Sequence, residues 1–104
     1  MSQNNYVLDK LGLPEVLTQL AEEASELAQA ALKYRRALMG VNPTPVTKVE
    51  ALARLREEIA DVESCLTAVG PEVRGDVVTM LRTSAAKLKR WEDRLKRVPP
   101  RGRE

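Results

Sequence analysis

Two acidic clusters stand inside the most helix-like, leucine-rich parts of this chain. They are Glu22-Glu23-x-x-Glu26 in LAEEASELAQAALKYRR and Glu57-Glu58-x-x-Asp61 in LREEIADVESCL. An α-helix turns about 100° per residue, so side chains three apart lie on one face. Each cluster therefore offers an i, i+3 carboxylate pair beside an apolar stripe: Glu23 with Glu26, and Glu58 with Asp61. Glu22 and Glu57 point farther round. If the two helices pack antiparallel, the pairs can meet. Four carboxylates brought together at neutral pH repel one another and are costly near a core. A hard divalent cation, Mg²⁺ or Mn²⁺, relieves that repulsion because it prefers oxygen ligands, and it commonly binds phosphates as well. The competing reading is two ordinary solvated helix faces, since surface helices are rich in Glu.

Composition removes several chemistries. The chain has no His, which excludes di-iron bundles built on Glu-x-x-His and His-based triads, and makes a zinc site a poor fit. Carboxylates and water are left for acid–base work. Cys65 is the one cysteine. It sits in an apolar run without a basic partner and reads as a small core residue rather than a nucleophile. A single Cys with no intrachain partner fits a reducing compartment. The start, MSQNNYVLDK, has no basic or apolar leader pattern, and no stretch is apolar enough to span a bilayer. A cytoplasmic, soluble protein without membrane contact is expected.

The elements that would carry the acids follow from punctuation and periodicity. At 104 residues the chain is of single-domain size, with residues 1–12 as an N-terminal segment, 13–98 as a helical domain and 99–104 as a flexible basic tail. Tyr6 to Leu11 reads as a short extra helical turn. The first long helix runs from about Pro14 to Met39, with Gly40 as its stop. Its stripe is Val16, Leu17, Leu20, Ala24, Leu27, Ala28 and Ala31. Val41 to Val46, with Pro43 and Pro45, cannot continue it.

The second helix opens at the capping box Thr47-x-x-Glu50, carries Leu52, Leu55, Ile59, Val62 and Leu66, and ends at Gly70-Pro71. The third starts between Pro71 and Asp76. It presents Val77, Leu81, Ser84, Leu88, Trp91, Leu95 and Val98 at alternating spacings of four and three, a bundle seam. No strand pattern is present. The fold class is an all-α bundle of three long helices. With no Phe, one Trp and two Tyr, its core is aliphatic, and such helices often complete a core by pairing between subunits. Self-association as a dimer or tetramer is expected.

Charge is uneven along the chain although the net value is only +2. Lys87 to Arg103 contains eight Lys or Arg residues. That end reads as a solvated tail after a helix stopped by Pro99-Pro100, and nucleic acid is not the expected partner.

The two clusters taken together, EExxE followed by ExxD on consecutive helices, resemble the MazG-like all-α nucleoside triphosphate pyrophosphohydrolases of the small single-domain bacterial and phage type. The similarity runs from about Leu13 to Leu95 and includes the NPTPV linker and KLKRWEDRL. The resemblance implies a Mg²⁺-dependent reaction, with Mn²⁺ able to substitute, in which water cleaves a nucleoside triphosphate to monophosphate and pyrophosphate. By position it makes Glu23, Glu26, Glu58 and Asp61 the metal ligands. Glu22 and Glu57 take supporting places, and Glu23, with Glu22 beside it, is the choice for the catalytic base.

Related enzymes carry Asn-x-Lys followed by Arg on the third helix. Here Lys87 and Arg90 match, while Ala85 stands at the Asn position. Arg94 shares the flank of Lys87, and Lys33, Arg35 and Arg36 are further candidates for the substrate's phosphates. Tyr34 and Trp91 are the central aromatics that could meet a base, although Trp91 lies on the apolar seam and fits core packing better. The linker is either a flap over the nucleotide or a long turn. The rival from another class is a non-catalytic helical adaptor with solvated acidic faces. A basic-tail nucleic-acid binder stands behind both.

Overall fold

The computed structural model of the chain describes residues 5–40 and 46–98. The proline linker as far as Pro45 and the basic tail from Pro99, both singled out above, lie outside them. The described residues are almost entirely helical and contain no strand, in agreement with the all-α expectation. In chain order the helices are α1 (Tyr6–Leu11), α2 (Leu13–Met39), α3 (Lys48–Ala68), α4 (Pro71–Arg74) and α5 (Val77–Arg97). The chain divides into two units, Met1–Arg74 and Gly75–Glu104, each described by itself.

Local chemistry fixes the helix ends. Gly12 takes φ +86° between α1 and α2, and Pro14 occupies the first turn of α2. Gly40 closes α2 in the left-handed conformation, φ +68°, its N–H donating to the Arg36 carbonyl at 2.9 Å. Only glycine takes such angles without steric penalty. The predicted capping box is complete. The Glu50 N–H donates to Thr47 Oγ1 at 3.1 Å, and the Thr47 N–H donates to Glu50 Oε1 at 2.9 Å.

In the first unit α2 and α3 form an antiparallel hairpin, and α1 packs at the end where α3 finishes. Asn5 caps α1 by accepting the Leu8 N–H and donates through Nδ2 to the Ala68 carbonyl at 3.0 Å, which ties the start of the chain to the end of α3. Leu8 packs against Gly70, where a Cβ would stand 3.4 Å from its methyl. Arg74 of α4 reaches Glu63 at 3.4 Å.

The face that α2 buries keeps one edge of the stripe read in the sequence and shifts toward Glu23 and Ala30. Val16 and Ala30 are buried and Leu20, Glu23, Leu27 and Tyr34 half-buried, whereas Leu17, Ala24, Ala28 and Ala31 are exposed. On α3 the inward seam is Ala51, Leu55, Glu58, Val62 and Cys65, continued by Val69 just past its end; Leu52 and Leu66 of the predicted stripe are half-buried, and Ile59 is exposed. Both sets alternate spacings of four and three, the knobs-into-holes seam of two helices. The choice of face is set by the partner helix: small residues at Ala30 and Ala51 let the backbones approach, and the wider stripes are left half outside.

In the second unit Asp76 caps α5. It accepts the Thr79 N–H at 2.8 Å, a bond that holds its carboxyl below the usual range. The predicted third helix thus begins at Val77, and Pro71–Arg74 forms the separate α4, broken off at Gly75 with φ +85°. On α5 taken by itself the predicted seam of Val77, Leu81, Leu88, Trp91, Leu95 and Val98 is exposed.

Replacing Thr47 with Ala removes one half of the capping box at the start of the helix that carries Glu58. We expect Thr47→Ala to lower stability to chemical denaturation by about 1 kcal/mol, with the unfolding slope unchanged.

Candidate metal centre

The α2–α3 seam carries a carboxylate on each side at its middle. Glu58 is only 3% exposed and is the one charged residue in the core of the described residues. Glu23 lies on the facing helix, half-buried, with Glu26 one turn along and more open to solvent. One carboxylate oxygen from each of Glu23, Glu26 and Glu58 lies within 4.8 Å of the others. Asp61, the fourth ligand that the resemblance implies, is exposed on α3 and falls outside this triad. Its charge is nevertheless felt at Glu58 and Cys65.

Each buried carboxylate is half satisfied. Glu58 Oε2 receives the Arg54 guanidinium, Nε to oxygen 2.9 Å, from one turn earlier on α3. Glu23 Oε2 accepts from Gln19 Nε2 at 3.0 Å, one turn earlier on α2. Their other oxygens, Glu58 Oε1 and Glu23 Oε1, are buried side-chain atoms without a hydrogen-bond partner among the described residues. An unpartnered acceptor sealed from water is costly, and a charged one more so. Burial accordingly pushes the Glu58 carboxyl above its ordinary value of 4.5. The Arg54 charge opposes that rise, and the negative charges of Glu26, Asp61 and Glu23 add to it. Burial, followed by the same carboxylates Glu23 and Asp61, pushes the Cys65 thiol up as well. Cys65 is therefore a protonated core residue and a poor nucleophile at neutral pH.

Two orphaned oxygens within a group of three carboxylates make a donor set composed of oxygen alone. Such donors suit a hard divalent cation such as Mg²⁺ or Mn²⁺.

No protein-family model, curated protein or solved structure matches this chain.

A cavity of about 350 Å³ opens beside the triad between α2 and α3. Glu26, Gln29, Ala30 and Lys33 line it from α2, and Glu50, Ala51 and Arg54 from α3, with Val46 at its edge. Lys33, one of the substrate candidates, thus shares a cavity with Glu26. Tyr34 is half-buried on the seam, Arg36 is half-buried, and Glu22, Glu57 and Arg35 are exposed. Lys87, Arg90 and Arg94 are exposed on α5, in the second unit, where Arg90 and Arg94 share a surface recess with Asp93 and Arg97. Arg54, Gln19 and Gln29 were not singled out from the sequence. The i, i+4 spacing of Arg54 to Glu58 and of Gln19 to Glu23 was the available signal, and it is common on helices of any function.

The lifted proton affinity of Glu58 has a defined sign. The folded chain holds that proton more tightly than the unfolded chain does, so this group's contribution to stability declines as pH rises from 4.5 through the folded value. With divalent ions removed by chelator, Glu58→Gln should gain stability relative to the native protein on going from acid to neutral pH. The melting temperatures of the two, compared across that range, measure the difference.

Proposed function

We propose that the chain is a Mg²⁺-dependent nucleoside triphosphate pyrophosphohydrolase of the MazG-like kind, acting in control of the nucleotide pool. It would convert ribo- or deoxyribonucleoside triphosphates to the monophosphate and pyrophosphate. The observation that carries this reading is the pair of buried, unpartnered oxygens, Glu23 Oε1 and Glu58 Oε1, within a triad of carboxylates. Solvated helix faces would not bury a carboxylate to 3% exposure. In this reading Glu23, Glu26 and Glu58 hold the cation, with Asp61 contributing charge or a further ligand at the rim. Bound there, Mg²⁺ or Mn²⁺ would neutralise phosphate charge and acidify a water.

The chain's own residues account for the remaining tasks. Glu23 is the catalytic base of this reading, acting through Oε2, which Gln19 steadies, with the exposed Glu22 beside it as the alternative. Lys33 lines the cavity next to the triad and offers a cation to a phosphate. Lys87, Arg90 and Arg94 on α5 are the further phosphate contacts of this reading, and Tyr34 is the aromatic nearest in sequence to Lys33.

Self-association belongs to the same proposal. The described core consists of Val16, Ala30, Ala51, Cys65 and Val69 around one Glu, which is thin for a free-standing domain. Leu17, Leu32, Leu38, Ile59 and the leucines of α5 remain exposed. A dimer or tetramer would cover such surface. Among the described residues no helix is long and apolar enough to cross a membrane.

The alternative is a non-catalytic helical adaptor. One observation favours it: Arg54 already neutralises part of the Glu58 charge, so the cluster is partly compensated without any cation.

Metal-linked stability and product release separate the two. We expect Mg²⁺ or Mn²⁺, at about a hundred times its dissociation constant, to stabilise the native protein by about 2.7 kcal/mol, and Glu58→Gln to lose most of that gain. From a panel of canonical and modified nucleoside triphosphates, the native protein should release pyrophosphate and monophosphate, and Glu58→Gln should release none. No metal-linked stabilisation together with no release from any nucleotide would leave the adaptor.

A further inference from the structure

One side chain joins the carboxylate triad to the neighbouring cavity. Arg54 pairs with Glu58 through Nε at 2.9 Å, yet its side chain is 61% exposed and lines the cavity on the α3 side. A guanidinium carries five N–H donors in a fixed fork, so after Nε is engaged the terminal amino groups remain for an oxyanion. Lys33 lines the same cavity from the opposite helix. It stands seven residues after Glu26, two turns along the same face of α2. The cavity therefore has a carboxylate of the triad at one end and a cation on each helix wall.

We propose that this cavity is the subsite for the terminal phosphates of the substrate, the part that leaves as pyrophosphate, with Arg54 and Lys33 as its two cationic contacts. This deepens the hydrolase reading and rests on it.

Three features favour phosphate over the nucleoside. None of the described residues that line the cavity is aromatic, so they offer a base nothing to stack on. The cavity lies at the N-terminal end of α3, where the helix dipole favours negative charge. Its two acids are otherwise engaged: Glu26 belongs to the triad, and Glu50 is tied to the Thr47 N–H in the capping box. Ala30 and Ala51, both buried, also line it, and small side chains there leave room between the helices for a diphosphate chain.

The test is calorimetric titration of inorganic pyrophosphate, and separately of nucleoside monophosphates, onto the full chain with Mg²⁺ present. The native protein would be compared with Arg54→Gln, Lys33→Gln and Glu58→Gln. Lys33 is exposed, so Lys33→Gln should fold. Arg54→Gln also removes the partner of the buried Glu58. Circular dichroism and Mg²⁺ affinity are therefore measured for each variant, and only a variant that keeps both reports on the subsite. The expected result is pyrophosphate affinity lowered about tenfold or more in Arg54→Gln and in Lys33→Gln, with monophosphate affinity unchanged. Native-like pyrophosphate binding in both variants, with loss only in Glu58→Gln, would overturn the subsite while leaving the metal centre standing. Weakened monophosphate binding with unaltered pyrophosphate binding would overturn it too, by giving the cavity to the nucleoside end. Native protein that binds neither Mg²⁺ nor pyrophosphate would remove the hydrolase reading itself and the subsite with it.

Discussion

The arrangement around the candidate site depends on two carboxylates held in the seam between α2 and α3, where a pair of packed helices ordinarily places leucines. Glu23 and Glu58 occupy successive four-and-three positions of their helices, flanked by Leu20 and Leu27 on one and by Leu55 and Val62 on the other. Water cannot reach the inner oxygen of either. Their proximity opposes folding, because like charges repel and the dry seam gives little screening. What offsets this is local: the Arg54 guanidinium on Glu58 and the Gln19 amide on Glu23. Each reaches its acid from one turn away on the same helix.

The rest of the first unit can be understood as support for that seam. Ala30 and Ala51 bring the helices close on one side of the acids, and Cys65 and Val69 fill the other. The Thr47–Glu50 box and Gly40 fix where α3 begins and α2 ends, and thereby the register in which Glu58 meets Glu23. Asn5, Leu8 and Gly70 close the far end of the hairpin. A shift of one residue in α3 would rotate Glu58 out of the seam by about 100°. The triad and the cavity beside it are both built on α2 and α3, so their geometry does not depend on where α5 stands. The basic residues of α5 form a separate set on an exposed helix. Their part in substrate binding is a matter of proposal, whereas Lys33 and Arg54 share one cavity with Glu26.

Much of this was legible in the residue order. Pro14, Gly40 and Thr47 mark helix ends through backbone preferences that are local and need no partner. The long α2 and α3 were each readable from punctuation together with period, whereas the short α1 had no such signal. The choice of buried face was not. Leucine and alanine are so abundant on α2 that two overlapping stripes satisfy the same period, one through Leu17, Ala24, Ala28 and Ala31 and one through Val16, Leu20, Glu23, Leu27 and Ala30. Apolar counting merges the two into one wide stripe and leaves Glu23 at its edge.

The sequence by itself determined the helical class, the places where the helices start and stop, and the pairing of two acidic i, i+3 motifs on consecutive helices. These are set by local backbone chemistry and by a spacing of about 3.6 residues per turn. Only the tertiary structure decided that Glu23 and Glu58 face inward rather than flank the core. It also gathered Glu26 with them and left Asp61 outside the triad, and it carried Arg54 from Glu58 to a cavity shared with Lys33. Those outcomes depend on how one helix surface fits another, and no single helix encodes the answer.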